Sequence, residues 1–258
     1  NKKCLALAAA AMAAVTLVAG CGSSADKKDG ASGEQKTLVV GMEPTFPPFE
    51  FTENDKYIGF DIDLANAIGE KMGSKVEVKS LGFDALIPAL RSGQIDMIAS
   101  GMDATPERQK QVSFTDPYFH DGYSVVVRKD NTTINGFDDL KGRTVGSQVG
   151  TKGVDLATEA GATVKQYDAN SQGWMELQSG TCDAVVINTS VALYYMKEGG
   201  DKDLKIVAMQ EADAGIAMAV SKDKPELLEK VNKALADLKA DGTYAKLYKK
   251  WFGVDPKE

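Results

Sequence analysis

The chain has 258 residues, of which 37 are acidic and 30 are basic, so its formal net charge is -7 at pH 7. This acidic balance argues against a nucleic-acid partner. The single histidine, His120, cannot build a metal cluster, so we predict no metal site and expect no cofactor. Cys182 stands alone in the part expected to fold, which argues against an internal disulfide and favours a buried thiol.

The first residues have the layout of a secretory signal peptide, because two lysines precede an uncharged apolar run over 4–18. The run is too short to span a bilayer as a helix of the mature protein. It ends in Val-Ala-Gly-Cys, which looks like the lipobox of bacterial lipoproteins and would make Cys21 the lipid-bearing residue. An ordinary cleavage site beside a chance cysteine is the alternative.

These features predict a signal peptide over 1–20 and a tether over 21–36 that is lipidated at Cys21. The tether is rich in Gly, Ser, Asp and Lys, a composition that links domains rather than folding. The predicted location is therefore the outer face of the cytoplasmic membrane, reached by secretion and held by the lipid.

After the tether, apolar strands alternate with helical patterns. A strand is predicted over 38–40, and a helix over 61–72 whose apolar residues recur at helical spacing and which Gly73 ends. The order strand, helix, strand predicts parallel sheets with helical crossovers. The tail over 225–252 is predicted to be helical.

One phrase occurs twice, as LRSGQIDMI at 90–98 and as LQSGTCDAV at 177–185. Each copy is typical of a helix end, a glycine stop and a buried strand. Two copies 87 residues apart indicate that both halves of the chain contain the same α/β unit. We therefore predict two similar lobes.

Two β-rich stretches, at 123–128 and 215–220, are candidates for the crossings between the lobes. Lobe 1 would then be discontinuous, comprising 37–119 and 216–258, and lobe 2 would comprise 120–215. Two short crossings form a hinge, and ligands of open α/β sheets bind at the carboxyl ends of strands. We therefore expect the binding site in the cleft between the lobes.

The segment after the strand predicted over 95–99 suggests a carboxylate site. Thr105 and Pro106 are typical of a helix cap and a first helical residue, and Arg108 follows one turn in. Free backbone N–H groups, the helix dipole and a guanidinium together favour a bound carboxylate. The alternative is that Arg108 pairs with Glu107 or Asp116 on the solvated surface.

Two aromatic residues, Phe46 and Phe83, each follow a strand of lobe 1, where a loop faces the cleft. Their rings are predicted to clamp a ligand side chain by its flat face. Phe49 and Phe51 are assigned to the core.

The Gly-Thr turn at 150–151 follows a strand of lobe 2, and its free N–H groups would meet the ligand only when the cleft shuts.

Several motifs in order resemble those of the polar amino-acid-binding proteins of bacterial uptake transporters, known as extracellular solute-binding protein family 3. The resemblance covers about 37–254, and its most specific motifs are GFDIDL at 59–64, FPPFE at 46–50, SG at 100–101 followed by TPER at 105–108, and the ending from GTY at 242–244 to KWFG at 250–253. It implies a type II periplasmic-binding-protein fold, with two mixed-sheet α/β lobes joined by a two-strand hinge. It also implies an ABC transporter as the partner.

The resemblance implies roles for individual residues in holding an amino acid. Arg108 would take the ligand carboxylate together with the backbone near Thr151, and Gly101 would offer a carbonyl to the α-ammonium. Phe46 and Phe83 would sandwich the side chain. The predicted site residues are Glu43 near the side-chain tip, Phe46, Phe83, Ser100, Gly101, Asp103, Arg108, Gln148, Thr151 and Asn188.

The chain departs from the family pattern at three positions. Asn188 lies where an aspartate commonly completes the ammonium site, Asp103 where many relatives carry Ser or Thr, and Gln148 where a lysine or another polar residue occurs. An amide accepts from an ammonium without supplying charge, and charge-assisted hydrogen bonds are roughly twice as strong as neutral ones. Our hypothesis is that Asp103 and Asn188 share the ammonium.

We therefore predict a non-enzymatic, monomeric substrate-binding component of an ABC importer that closes around a polar or basic L-amino acid. Two carboxylates and two rings favour an arginine-like ligand, with glutamine next. One alternative is a dehydratase of prephenate-like acids on the same fold, with Glu43 or Asp103 as proton donor. Another is a ligand sensor that acts through a separate membrane receptor.

Overall fold

A computed structural model of the protein describes residues 36–256. The predicted signal peptide and lipidation site at Cys21 lie outside the described residues. The first strand begins at Lys36, so the predicted tether is one residue too long at its carboxyl end. Within the described residues, no helix is both long enough and apolar enough to cross a membrane.

The elements fall into three segments of the chain. The first contains β1 (Lys36–Met42), β2 (Thr45–Phe46), β3 (Glu50–Glu53), β4 (Lys56–Ile58), α1 (Phe60–Lys71), β5 (Ser74–Ser80), α2 (Leu86–Arg91), β6 (Met97–Ile98), α3 (Pro106–Gln109) and β7 (Ser113–Phe114). The second contains β8 (Gly122–Arg128), β9 (Thr144–Gln148), α4 (Lys152–Glu159), β10 (Thr163–Tyr167), α5 (Asn170–Ser179), β11 (Ala184–Asn188), α6 (Thr189–Lys197) and β12 (Leu204–Glu211). The third contains β13 (Ala219–Val220), α7 (Pro225–Ala240) and α8 (Thr243–Phe252), which confirms the helical tail.

The strands form two separate five-stranded sheets, in the orders β5-β1-β6-β13-β7 and β10-β9-β11-β8-β12, beside a small sheet of β2, β3 and β4. In the first sheet, β1 is parallel to β5 and β6, and β13 is antiparallel to β6 and β7. In the second, β9 is parallel to β10 and β11, and β8 is antiparallel to β11 and β12. We call the two sheets with their helices lobe 1 and lobe 2. The predicted fold of two mixed-sheet α/β lobes is confirmed.

The repeated phrase occupies the same place in both lobes. In each copy a helix ends, a glycine has positive φ, and an aspartate precedes a strand that is parallel to the first parallel strand of its lobe. Asp96 accepts from Val39 N at 3.0 Å, and Asp183 accepts from Thr144 N at 2.9 Å. The N–H groups of both aspartates donate back, to Val39 O and Thr144 O, at 2.8 Å. The aspartate of the phrase therefore joins equivalent strands in each lobe.

One of the two predicted crossings between the lobes is wrong. Residues 123–128 lie in β8, a central strand of lobe 2 that is buried along nearly its whole length, and such continuous apolar runs are typical of strands covered on both faces. The chain crosses instead over 115–121, and it returns over 212–218, which overlaps the predicted stretch at 215–220. Ala212 N donates to Asp121 O at 3.1 Å and Ile216 N donates to Phe119 O at 2.9 Å, so the crossings form a two-stranded hinge.

Two phenylalanines assigned to the core have different surroundings. Phe49 is fully buried and packs against Phe119 and Phe252 of lobe 1, with ring centroids 5.1 and 5.5 Å away. Phe51 is only half-buried, and its ring lies 5.9 Å from that of Tyr194 in lobe 2. The core assignment of Phe51 is therefore wrong, because the Glu50 side chain takes the buried face of β3 and strand alternation turns the Phe51 ring to the opposite face, at the contact between the lobes.

Candidate functional site

Residues at the carboxyl ends of parallel strands from both lobes surround one cavity of about 270 Å³. Glu43 follows β1 and Phe83 follows β5 in lobe 1, whereas Gln148 ends β9 and Asn188 ends β11 in lobe 2. The lining residues are Glu43, Phe46, Glu50, Phe83, Gly101, Asp103, Arg108, Tyr123, Gln148, Thr151, Lys152 and Asn188. The structure thus brings nine of the ten predicted site residues to one cavity.

Ser100, the tenth predicted residue, lies behind the cavity rather than on its wall. It is buried, and its hydroxyl accepts from Glu43 N at 2.9 Å and donates to Glu50 Oε1 at 2.7 Å. Both hydrogen bonds are to residues of the protein, so the Ser100 side chain holds the loop that follows β1 instead of facing the ligand. The prediction that Ser100 lines the ligand site is therefore corrected.

The Arg108 guanidinium lies in the cleft and joins the two lobes. Thr105 caps α3 by accepting from Arg108 N at 3.3 Å, as predicted, but α3 has only four residues and supplies little dipole. Nη1 donates to Asp103 O at 2.8 Å and Nη2 donates to Gly150 O of lobe 2 at 3.0 Å. A guanidinium carries five N–H groups, so within 36–256 these two bonds leave three that can bind a carboxylate.

The predicted alternative, in which Arg108 pairs with an acidic neighbour on the surface, is not observed among the ion pairs of residues 36–256. The guanidinium lies instead over the Phe83 ring, 5.3 Å from its centroid. Aromatic stacking and two carbonyl bonds fix the direction in which the free N–H groups point, because a planar guanidinium has a rigid fork.

Asp103 and Asn188 each present a buried, unpaired group. Asp103 Oδ2 accepts a hydrogen bond from the Tyr123 hydroxyl of lobe 2. Among the residues that the structure describes, Asp103 Oδ1 and Asn188 Nδ2 have no partner. Burial raises the pKa of Asp103, although the Tyr123 hydrogen bond and the Arg108 charge oppose this. A buried polar atom without a partner is costly, so Asp103 Oδ1 provides an acceptor suited to a ligand cation.

Glu43 is a second buried acid of the cavity, with different neighbours. Its carboxylate accepts from Thr45 Oγ at 2.7 Å, and the Gln148 amide approaches it from lobe 2. Burial raises the pKa of Glu43, and the bonds from Gln148 and Thr45 oppose the increase. Gln148 is itself held by Asn170 Nδ2, at 3.2 Å, and by Asp168 O, at 3.0 Å. Glu43 and an immobilised amide thus form a polar corner across the cleft.

The turn that carries Thr151 differs from the predicted arrangement. Thr151 lines the cavity, but its N–H donates to Gln148 O at 3.3 Å and its hydroxyl donates to the same oxygen at 2.7 Å. The turn closes on itself before α4 begins, and the Thr151 N–H is therefore not free for a ligand. Lys152, the first residue of α4, lines the cavity beside it.

Three lining residues, Glu50, Tyr123 and Lys152, were missed by sequence reasoning. Tyr123 was assigned to a crossing, whereas its position opposite Asn188 in the β8–β11 pair brings it to the strand ends. The only sequence signal for Lys152 was its place directly after the predicted turn. Glu50 was part of a family motif, but nothing local showed that its side chain faces inward.

A larger cavity of about 510 Å³ lies on the hinge side of the same site. It shares Asp103, Tyr123 and Lys152 with the smaller cavity, and its other charged lining residues are Glu107, Glu211 and Asp213. It lacks Arg108 and both phenylalanines, so it offers neither a fork for a carboxylate nor a clamp for a side chain. We therefore take the smaller cavity as the candidate ligand site.

Gly101→Ala is expected to weaken ligand binding about tenfold or more by displacing an aromatic wall of the cavity. Gly101 has φ +52°, and an added Cβ would lie 2.5 Å from the Phe46 ring. Gly142→Ala is the matched control, because Gly142 has φ +73° but an added Cβ would meet nothing within 4 Å. Both variants carry the conformational cost of about 1 kcal/mol. Calorimetry should show a weakened affinity for Gly101→Ala alone, and equal losses in both would contradict the steric argument.

The family model of bacterial extracellular solute-binding proteins, family 3, matches residues 38–254. The arginine-binding extracellular protein ArtP of Bacillus subtilis is 40% identical over 256 residues, covering 97% of this chain and 98% of the relative. ABC transporter arginine-binding protein 1 of Escherichia coli is 39% identical, covering 86% and 93%. A solved ancestral arginine-binding protein bound to arginine is 50% identical with a TM-score of 0.80, covering 84% and 98%.

The chain belongs to the bacterial extracellular solute-binding proteins, family 3. The resemblance stated from its motifs is thereby confirmed. As a member of this family, the protein binds a small solute outside the cytoplasm.

Proposed function

We propose that this protein is the arginine-binding component of an ABC importer. The observation that carries the proposal is one cavity that combines a guanidinium with three free N–H groups, an unpaired buried aspartate oxygen and a second buried acid. These groups complement the carboxylate, the α-ammonium and the guanidinium of arginine in turn. The relatives named for arginine support the same ligand.

We assign one part of the cavity to each group of the ligand. The Arg108 guanidinium binds the α-carboxylate, and Asp103 Oδ1 accepts from the α-ammonium. Phe46 and Phe83 line the cavity and suit the flat face of a guanidinium. Glu43 accepts from the guanidinium tip. The shared-ammonium hypothesis assigns Asn188 to the ammonium as a second, uncharged partner.

Capture needs rotation of the lobes but no bond chemistry. The bonds from Arg108 to Gly150 O and from Tyr123 to Asp103 already link the lobes in this structure. A ligand that contacts both lobes shifts the population toward the closed state by its differential affinity. We propose that 37–119 with 216–258 and 120–215 are the moving bodies. The separate sheets on either side of the hinge support these boundaries.

We further propose that the protein is a monomer, held at the outer face of the cytoplasmic membrane by a lipid on Cys21, and that it delivers its ligand to the permease of the transporter. We propose no catalytic step. Asp103 accepts from Tyr123 and Glu43 accepts from Thr45, and we assign both acids to ligand binding as acceptors. Incubation with a prephenate-like acid should leave that acid unchanged.

Calorimetric titration with arginine, lysine, histidine, glutamine and cystine tests the proposed ligand directly. Arginine is expected to bind most tightly, at micromolar concentration or below. If another amino acid binds at least tenfold more tightly, or if none binds, the proposal is wrong. Native mass spectrometry of the protein as purified gives an independent measurement, because a retained ligand shows its mass.

Glu43→Gln should separate the side-chain subsite from the rest of the site. We expect arginine affinity to fall about 10- to 100-fold, since the guanidinium loses its charged acceptor, whereas glutamine affinity should change less than threefold. Glu77→Gln, at an exposed position of β5, is the control and should leave both affinities unchanged. Equal losses for the two ligands would show that Glu43 does not contact the side-chain tip.

A further inference from the structure

Two carboxyl groups are fully buried at the cavity, that of Glu50 in its lining and that of Asp61 outside the lining. Glu50 Oε1 accepts from Ser100 Oγ at 2.7 Å. Asp61 Oδ2 accepts from Gly101 N at 2.8 Å and from the Tyr118 hydroxyl at 2.6 Å. The two carboxyl groups lie close enough together to form a hydrogen bond once one of them carries a proton. No N–H or O–H group of the described residues reaches Glu50 Oε2 or Asp61 Oδ1.

A single proton between the two groups satisfies both unpaired oxygens. The titratable side chains that act on the pair are Glu43 and Tyr118, with Tyr244 beyond Tyr118. Arg108 and Lys152 line the same cavity as Glu50, but neither forms an ion pair with Glu50 or Asp61 among the described residues. Two adjacent buried carboxylates without a paired cation repel each other and lose hydration, so one of them holds a proton. In this arrangement, the protonated group donates and the ionised group accepts.

The surroundings assign the proton to Glu50. Burial and the nearby Asp61 charge raise the pKa of Glu50 well above its usual value. Burial raises the pKa of Asp61 only to about 6, because the donors Tyr118 and Gly101 stabilise its ionised form. At neutral pH, Glu50 is therefore neutral and donates to an ionised Asp61.

We propose that Glu50 and Asp61 share one proton and act together as the positioning element for the two loops that contact the ligand. Glu50 holds the loop after β1 through Ser100, whose hydroxyl accepts from Glu43 N. Asp61 holds the loop after β6 through Gly101 N. The positioning half of this inference rests on the proposed function, whereas the shared proton stands on the buried contacts alone.

The shared proton makes folding stability depend on pH in a direction that can be stated. The folded protein keeps Glu50 protonated, whereas the unfolded chain ionises it above an ordinary value of about 4.3. The folded state then binds more protons than the unfolded state, so this group lowers stability as pH rises above that value. Glu50→Gln removes the titration but keeps a neutral donor to Asp61.

The test compares thermal midpoints between pH 4.5 and pH 8 for the wild type, Glu50→Gln and Glu53→Gln. Glu53 lies on the same strand but is exposed, which makes it the matched control. Glu50→Gln is expected to raise the midpoint by about 3 °C or more at pH 7.5, with the gain vanishing near pH 4.5. Glu53→Gln should show no such profile. A midpoint for Glu50→Gln equal to or below that of the wild type throughout would overturn the shared proton.

Infrared spectroscopy at neutral pH gives a second readout that needs no ligand. The wild type and Glu53→Gln should show the carbonyl band of a buried protonated carboxyl group, and Glu50→Gln should lack it. Persistence of the wild-type band in Glu50→Gln overturns the assignment of the proton to Glu50.

Arginine affinity tests the positioning half by comparing Glu50→Ala with Glu50→Gln. Glu50→Ala leaves Asp61 Oδ1 without a donor and the Ser100 O–H without its acceptor, and it should weaken arginine binding about tenfold or more. The conservative Glu50→Gln should restore the affinity to within about threefold of the wild type. A folded Glu50→Ala that binds like the wild type overturns positioning. If Glu50→Ala does not fold, a Glu50→Gln variant weakened tenfold overturns it instead. Absence of arginine binding in the wild type, with the expected midpoints and infrared band, refutes only the proposed function.

Discussion

Arg108→Met is expected to weaken arginine binding about 100-fold or more. The ligand carboxylate would lose the fork that binds it and would remain in a cleft whose other acids, Glu43 and Asp103, repel it. Truncating one partner of a hydrogen-bonded charge pair commonly costs about 2–5 kcal/mol, and 1.4 kcal/mol is a tenfold change in affinity. Isothermal titration calorimetry of the purified variant with arginine measures this directly.

Two further variants isolate the cause of that loss. Arg108→Lys retains the charge but cannot make a bidentate contact, so we expect an intermediate loss of about tenfold. Arg91→Met, at the exposed end of α2, removes a cation of equal charge far from the cavity lining and should not change the affinity. Arginine binding within threefold of the wild type in Arg108→Met would show that this guanidinium does not bind the ligand, and the proposed site would then fail.

Asp103→Asn is expected to weaken arginine binding about 10- to 100-fold by removing the charged acceptor of the ammonium. The variant can still accept from the Tyr123 hydroxyl, so the contact between the lobes is kept. Because burial raises the pKa of Asp103, neutralising this side chain should not destabilise the fold. Calorimetry gives the affinity, and the thermal midpoint of the unliganded variant shows that the fold is intact.

The hypothesis that Asp103 and Asn188 share the ammonium predicts the result of a second experiment on these two residues. Adding Asn188→Asp to Asp103→Asn moves the charge from lobe 1 to lobe 2 and should recover at least part of the affinity. The control Asp116→Asn, at an exposed position, should have no effect.

The wild-type affinity should also decrease as pH falls through the raised pKa of Asp103, because protonation removes the charge. An unchanged affinity in Asp103→Asn would refute the sharing of the ammonium.

The parts of the site that sequence predicts well are those whose signals are local. Thr105 and Pro106 define a helix start within three residues of Arg108, and the structure shows that cap. Phe46 and Phe83 were placed by their position directly after strands, and both reach the cavity. In each case the residue lies next to the helix start or strand end that orients it, so a short stretch of sequence is enough to predict its position.

The parts that sequence missed depend on pairing between distant segments. Tyr123 reaches the cavity because β8 pairs antiparallel with β11, which sets it opposite Asn188. Ser100 turns away because Glu50, 50 residues earlier, takes its hydroxyl. The Thr151 N–H is a local exception, because it bonds to Gln148 O within its own turn, where composition left the N–H free. None of these partners can be chosen from periodicity, since several polar residues compete for each donor until the chain packs.

By itself, the amino-acid order determined the strands and helices, the duplicated unit, the positions of the glycine stops and the residues available to bind an acid. Turn chemistry, capping and apolar periodicity act over a few residues, and they can therefore be predicted from short stretches of the sequence. Only the tertiary structure decided which of those residues meet, which buried oxygens stay unpaired and where a proton is held. Those outcomes depend on burial and on contacts between residues 40 or more positions apart, such as Gly101 N with Asp61 inside lobe 1. They form only when each lobe has packed.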